Sequence, residues 1–338
     1  MIGLWDTTGN EVVKALAAER RSAGGVASGM ALTLIVVVDE KRVREAEAAA
    51  TIAAAAHPCR LLVVVRSDVE REHNRLDAEI VVGGRLGPCE AVVTRMYGRL
   101  ALHAESVVMP LLVPDVPVVT WWHAEPPEEI ATDFLGVVAD RRITDAAQAA
   151  DPIEALRQRA RDYAPGDTDL AWSRITPWRT LVAGAFDTTQ ARVTEATVVA
   201  PRTDPTAALM CGWLGGRLGI EPRWEHADGQ PRMREVQLRC ANGDELTLTR
   251  EDSTAKFRRT GQADRDLPLV RRPLGDELAE ELRRLDADQV YAEALGAAAG
   301  LSGLDDRPAQ RVHVWKDPAT ARRAEAGVTT HASTNAPS

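Results

Sequence analysis

The sequence predicts an α/β protein: two α/β domains with mixed β-sheets flanked by helices, followed by a polar tail. Three observations carry this. Two continuous, largely β-branched runs, Leu32 to Val38 and Leu61 to Val65, flank an alanine-rich stretch, the pattern of strands buried on both faces around a helix. A second group of strand-like runs follows residue 190 and contains Asn242-Gly243, the strongest short hairpin signal in the chain. Between the groups, Ala164-Pro-Gly-Asp-Thr168 is turn chemistry after a finished helix. The expected domains are therefore 1–165 and 166–304, with a tail at 305–338; a chain of 338 residues can bury a core in each.

In order, Thr8 and Glu11 form a capping box for a first helix with Val12, Val13, Leu16 and Ala17 as its apolar stripe. Residues 22–29 read as a small-residue loop. Leu32 to Val38 is a strand ended by Asp39, Glu40 to Ala56 a helix stopped by Pro58, and Leu61 to Val65 a strand. Ala78 to Val82 and Ala91 to Met96, separated by Gly83-Gly84-Arg-Leu-Gly87, are expected to pair antiparallel. A helix over 101–112, a buried strand over 116–122, a weak strand over 142–145 and a helix from Pro152 to Tyr163 complete the first half.

In the second half Asp169 caps a short helix, and Thr176-Pro177 either caps a second one or kinks the first. Ala196 to Val199 is a strand and Pro205 to Leu218 a helix, whose Gly212, Gly215, Gly216 and Gly219 suggest close approach of another backbone. Strands near 236–239, 246–249, 256–259 and 267–270 form one sheet, closed by helices over 275–285 and 287–299. From Asp305 the chain turns polar and Pro-containing, the composition of a disordered tail in which Val312, Val314 and Trp315 can dock locally.

Hydrophobic content of 45% and charged content of 27% are those of a soluble globular protein. A net charge of −9 argues against nucleic acid and anionic membranes as partners. The N-terminus lacks the basic and apolar regions of a signal peptide, and no apolar run reaches the ~20 residues of a membrane helix. Cys59, Cys89, Cys211 and Cys240 form no Cys-x-x-Cys pair and read as reduced thiols, so a cytoplasmic location is expected. No metal or cofactor is expected. His103-Ala-Glu105 and His123-Ala-Glu125 lack the cysteine pair of a zinc deaminase, and the glycines at 83–87 sit in a hairpin turn rather than a phosphate loop.

The chain has 8 Trp against 3 Phe and 3 Tyr, and four of the eight fall in two strings. Trp121 and Trp122 point to opposite faces of a strand. Either one fills the core and the other lies under a helix, or the outward ring begins a partner surface. In Asp169-Leu-Ala-Trp172-Ser-Arg174-Ile-Thr-Pro-Trp178-Arg179, the helical stripe Ala171, Ile175, Trp178 and Val182 gives Trp178 a core reading beside its reading as a contact residue. Trp172, Arg174 and Arg179 fall off that stripe. They read as contact residues, since Trp and Arg are enriched at interface hot spots, or as a stacked clasp between the domains.

The strings Leu111-Leu-Val-Pro-Asp-Val-Pro-Val-Val-Thr-Trp-Trp122, Asp140-Arg-Arg-Ile-Thr-Asp145 and Asp169 to Arg179 resemble the hallmarks of the OpcA family, the glucose-6-phosphate dehydrogenase assembly proteins of actinobacteria and cyanobacteria. The resemblance runs through both expected domains to about Leu304. It implies a non-catalytic protein that binds glucose-6-phosphate dehydrogenase, promotes its active oligomer and activates it allosterically at the opening of the oxidative pentose phosphate pathway. The expected contact residues are Trp121, Trp122, Asp169, Trp172, Arg174, Trp178 and Arg179, with no catalytic residue. Ala171 stands where the family commonly has Asn, and Ala185-Phe186 where it has an aromatic pair. Redox control belongs to cyanobacterial members, and the four cysteines here are not matched to theirs. A rival reading is a sugar-phosphate enzyme in which Arg174 and Arg179 grip phosphate and Asp169 does acid–base work.

Overall fold

Strands that are apolar at every residue must be covered on both faces, and the first sheet is. The computed structural model describes residues 1–22, 29–83, 89–186, 191–227, 229, 231–309 and 312. β1 (Ile2–Leu4) leads to α1 (Gly9–Ser22), where Thr8 Oγ1 accepts from Glu11 N at 3.3 Å and Glu11 Oε2 accepts from Thr8 N at 3.1 Å, the expected capping box. β2 (Leu32–Asp39), α2 (Val43–Ala56) and β3 (Cys59–Arg66) form a βαβ unit with β2 and β3 parallel. β4 (Arg75–Val82) and β5 (Glu90–Tyr97) pair antiparallel as expected, each longer than its sequence signal. β6 (Val118–Trp122), β7 (Arg141–Thr144) and β8 (Asp167–Asp169) extend the other side, all parallel. The order is β1-β4-β5-β3-β2-β6-β7-β8.

One face of this sheet packs Leu34, Val36, Val63 and Trp121 against the alanines of α2. The other packs Ile35, Val37, Leu62 and Trp122 against Val12 and Leu16 of α1 and the turns before β6. Those turns are not the single helix expected over 101–112. A 3₁₀ turn (Gly98–Leu102), the four-residue α3 (Glu105–Val108) and a second 3₁₀ turn containing Pro110 replace it, because Pro110 donates no backbone hydrogen bond. Between β6 and β8 run α4 (Phe134–Val137) and α5 (Pro152–Arg161), the latter capped by Asp151.

α6 (Leu170–Arg174) and α7 (Thr176–Phe186) lead to the second sheet. Its strands are β9 (Val193–Ala200), β10 (Arg223–His226), β11 (Glu235–Cys240), β12 (Glu245–Glu251), β13 (Thr254–Arg259) and β14 (Arg265–Pro268), in the order β10-β9-β11-β12-β13-β14. β10 is parallel to β9 and the rest are antiparallel, so this sheet too is mixed. The Asn242-Gly243 turn joins β11 to β12, with Gly243 at φ 87°. One face carries Val236, Leu238, Leu248 and Phe257 into a core shared with α5, α6, α8 (Pro205–Leu218) and α10 (Gln289–Ala299).

Two features depart from the sequence reading. The first sheet runs past the turn at 164–168, because the short polar Asp167-Thr-Asp169 adds as its edge strand. The helix expected to close the second sheet, α9 (Leu274–Glu281), instead returns to the first, where Leu278 and Leu282 join the core beneath α2 and Gly275 lies against Ile52. Gly84 to Gly87, Val314 and Trp315 lie outside the described residues, and Val312 is exposed. Among the described residues no helix is long and apolar enough to cross a membrane.

The glycines of α8 divide by what faces them. A Cβ at Gly212 would sit 2.0 Å from the carbonyl oxygen of Ala294 on α10, the close backbone approach expected; at Gly216 it would meet nothing within 4 Å. Gly219 serves instead as the left-handed C-cap at φ 64°. Gly212→Ala is therefore expected to destabilise the fold by about 1–3 kcal/mol, whereas Gly216→Ala stabilises it by up to about 1 kcal/mol through helix propensity. Urea unfolding of both variants checks the contrast.

Candidate functional site

The segment from Asp169 to Arg179 begins where β8 leaves the sheet. Asp169 caps α6 by accepting from Ala171 N at 2.9 Å, as expected. Its other oxygen accepts from Thr144 Oγ1 at 2.7 Å and Ala146 N at 2.8 Å, so one carboxylate ties β7, β8 and α6 together. It is completely buried, and burial, with Asp145 beside it, pushes its pKa up.

The next turn presents its side chains to other elements rather than to solvent. Trp172 is 2% exposed, its indole N–H donates to Asp288 at 2.8 Å, and its ring centroid lies 5.7 Å from that of Tyr291. The Arg179 guanidinium stacks 3.5 Å from the Trp172 centroid and donates to Thr176 Oγ1 at 2.9 Å. Burial lowers its pKa to about 10, so it stays charged at neutral pH. Arg174 donates to both oxygens of Asp145, at 2.6 and 2.8 Å, and through Nε to Glu277 at 2.8 Å. Burial opposes its charge, but Asp145 and Glu277 outweigh that and raise its pKa. Alongside, Glu281 of α9 accepts from Ser173 and from Arg141 of β7. Trp178 is 1% exposed, in the core its helical spacing predicted.

These contacts correct the reading of Trp172 as an open contact residue: it is the buried half of a clasp. They also correct the rival reading of Arg174 as a phosphate grip, since its donors are already held by two carboxylates. Trp121 and Trp122 do lie on opposite faces of β6, but both are buried and neither ring begins a surface. The reason is that each face of the sheet is covered, by α2 and α9 on one side and by α1 on the other. Their indole nitrogens find no hydrogen-bond partner among the described residues.

The strands β5-β3-β2-β6-β7-β8 follow the order of a doubly wound dinucleotide-binding sheet, whose crevice opens at the carboxyl ends of the two strands where the order reverses. Here those are β2 and β6. The turn after β2 reads Asp39-Glu-Lys-Arg42, with side chains where the dinucleotide fingerprint has glycines. At the end of β6, His123 Nε2 lies 3.1 Å from Glu45, and Arg42 donates to the His123 carbonyl at 3.3 Å, bridging the crevice. Two clefts flank the clasp. One of about 740 Å³ lies at the ends of β6 to β8 and is lined by Glu125, Asp145, Asp151 and Arg159. The other, about 580 Å³, lies between α7 and the second sheet and is lined by Arg174, Trp178, Arg232, Arg250 and Arg271. The sequence reading missed Asp145, Glu277, Glu281 and Asp288 as partners. Two of them carry a local signal as caps: Asp288 of α10, where it accepts from Tyr291 N at 3.0 Å, and Asp145 of the 3₁₀ turn after β7, where it accepts from Ala147 N at 3.2 Å.

Removing Arg174 leaves Asp145 and Glu277 buried and facing a void. Arg174→Ala is therefore expected to cost about 3–5 kcal/mol, read by urea unfolding, with Arg174→Lys recovering only part because an ammonium cannot serve both carboxylates in the same fork. A second expectation concerns pH. Asp162 accepts from Ile130 N at 3.0 Å through Oδ2, while Oδ1 is buried without a hydrogen-bond partner among the described residues. Burial pushes its pKa up to about 7, against the pull of Arg159. The folded state thus holds a proton that the unfolded chain releases near pH 3.9, so this group's contribution to stability falls as pH rises from about 4 to 7. Asp162→Asn is expected to remove that decline, changing the stability difference between pH 5 and pH 7.5 by about 1–4 kcal/mol.

Residues 50–161 match the family model described as the glucose-6-phosphate dehydrogenase subunit N-terminal domain, and residues 165–295 the one described as its C-terminal domain. A protein of Synechococcus elongatus named "Putative OxPP cycle protein OpcA" is 30% identical over 211 residues, 59% of this chain and 44% of that protein. One of the same name from Synechocystis is 27% identical over 204 residues, 56% of this chain and 43% of that protein. The matched stretch thus spans less than half the length of these curated relatives. Among solved structures, a 3-ketoreductase from Actinomadura kijaniata superposes over 84% of this chain and 99% of that one with TM-score 0.44 and 12% identity, a likeness too low to bear on function. With both halves of one family matched in chain order, this chain belongs to the OpcA family.

Proposed function

We propose that this protein is a non-catalytic partner of glucose-6-phosphate dehydrogenase that favours its active assembly, at the opening of the oxidative pentose phosphate pathway. The observation that carries the reading is the match of both halves of the chain, in order, to the two domains of a glucose-6-phosphate dehydrogenase subunit family. The doubly wound sheet with charged side chains in place of the glycine turn supports it, since that crevice is bridged by the chain's own Arg42, His123 and Glu45. An activator of this kind must bind the active enzyme conformation more tightly than the inactive one; equal affinity shifts nothing.

Within the expected contact set, Trp121, Trp122, Asp169, Trp172 and Trp178 act from inside, Trp121 and Trp122 in the cores of the first sheet and Trp172 and Trp178 in the core of the second. Arg174 and Arg179 are the members that keep partial exposure, both half-buried. Arg179, spread over Trp172, is the stronger contact residue because Arg174 is already paired. The two sheets then act as one body clasped through α6 and α9.

Mixing the purified chain with the dehydrogenase of its own cell should raise turnover and enlarge the enzyme's oligomer in parallel, measured by light scattering and NADPH formation. Arg179→Ala should weaken the apparent affinity of activation by about fivefold or more, a loss of roughly 1 kcal/mol, with thermal unfolding of the variant close to that of the parent. Turnover of a metabolite by the chain alone, or no change in the dehydrogenase at any ratio, would overturn the reading.

A further inference from the structure

The 580 Å³ cleft between α7 and the second sheet is lined by five arginines, Arg174, Arg232, Arg250, Arg271 and Arg272, against two acids, Asp204 and Glu277. Arg250 comes from β12, Arg232 from the approach to β11, and Arg271 from the segment after β14. Among the described residues none of the three has a carboxylate within ion-pair distance. The other charges lining the cleft are committed. Arg174 is held by Asp145 and Glu277. Asp204 accepts from Thr206 N at 2.9 Å, Thr206 Oγ1 at 2.6 Å and Met233 N at 2.5 Å, and Arg272 lies 3.5 Å from Glu280.

Arg250 is the centre of the group. Its guanidinium carbon lies over the buried Trp178 ring, 5.2 Å from the centroid, a cation–π contact. Its Nε is buried and without a hydrogen-bond partner among the described residues. Burial first, then the charges of Arg232 and Arg271, lowers its pKa to about 10 against the pull of Asp204, so it remains a cation held among cations. A buried donor without a partner is costly, and like charges around one hollow add to that cost. An anion seated there removes both.

We propose that this cleft binds a small phosphate monoester, with Arg232, Arg250 and Arg271 holding the phosphate group. A phosphate carries nearly two negative charges and three acceptor oxygens, suited to three guanidinium groups lining one cleft; a carboxylate has one charge and two oxygens. The volume falls within the ~300–1,000 Å³ of small-molecule sites, so room remains for the organic part. Thr203, Thr206 and Gln148 line the remaining wall with groups that suit hydroxyls. The walls come from α6, α7, α8, α9 and the second sheet, so a bound ligand would bear on the same clasp that joins the two sheets. The proposal is independent of the dehydrogenase reading and concerns the isolated chain.

The test is titration calorimetry and thermal unfolding of the full chain with inorganic phosphate up to about 10 mM, tenfold above a ~1 mM Kd, at constant ionic strength, with acetate as the carboxylate control. Phosphate should bind and raise the melting temperature while acetate does neither. Arg250→Met and Arg271→Ala should each weaken phosphate binding about tenfold or more, whereas Arg258→Ala, an exposed arginine paired with Asp264 elsewhere on the sheet, should leave it unchanged. If Arg250→Met does not fold, the exposed Arg271 decides the matter. No phosphate effect beyond salt, an equal effect of acetate, or binding untouched by Arg271→Ala would each overturn the proposal.

Discussion

The arrangement of this protein depends on a buried set of arginine–carboxylate pairs centred on α6. Arg174 stands between Asp145, just after β7, and Glu277 on α9, while Glu281 one turn later takes both Arg141 of β7 and Ser173. These are charges removed from water, whose desolvation offsets much of their attraction. Their consequence is orientation more than net stability. A guanidinium fork accepts two carboxylates only in one geometry, so α9 can return to the first sheet in one register. Leu278 and Leu282 then seal the core beneath α2. The indole of Trp172, bonded to Asp288 and roofed by Arg179, does the same for α10.

The first sheet has the strand order of a dinucleotide-binding fold, yet its crevice is occupied by the protein's own side chains. Phosphate binding at that place needs glycines so that backbone can approach the pyrophosphate. Asp39, Glu40, Lys41 and Arg42 bring side chains there instead. What the fold retains is a sheet with an apolar core on each face. A cluster of arginines, Arg232, Arg250 and Arg271, lines a separate cleft against the second sheet, displaced from the first sheet's own crevice.

Local chemistry sufficed for most elements. The capping box at Thr8 and Glu11, the β-branched run of β2, the Pro205 start of α8 and the Asn242-Gly243 turn each satisfy backbone groups within a few residues, so one window of sequence contains the cause. The broken helix over 101–112 was within reach as well, since Pro110 carries the signal. β1 and β8 were not: three residues each, one of them Asp-Thr-Asp, they are strands only because a neighbouring edge supplies their partners. The arginine cleft was likewise illegible, because its three guanidiniums come from three separate stretches of chain.

By itself, then, the amino-acid order determined the two-sheet α/β class, the burial of Trp178 and the opposed faces of Trp121 and Trp122, all consequences of periodicity along one strand or helix. It also marked the Asp169–Arg179 string as unusual while leaving open whether it faced a partner or clasped the protein together. Only the tertiary structure decided that Trp172 and Arg174 turn inward, because their partners Asp288 and Glu277 lie more than a hundred residues away. A charge pair at that separation leaves no periodic trace; it exists only once the chain has folded back to bring the two groups within hydrogen-bonding distance.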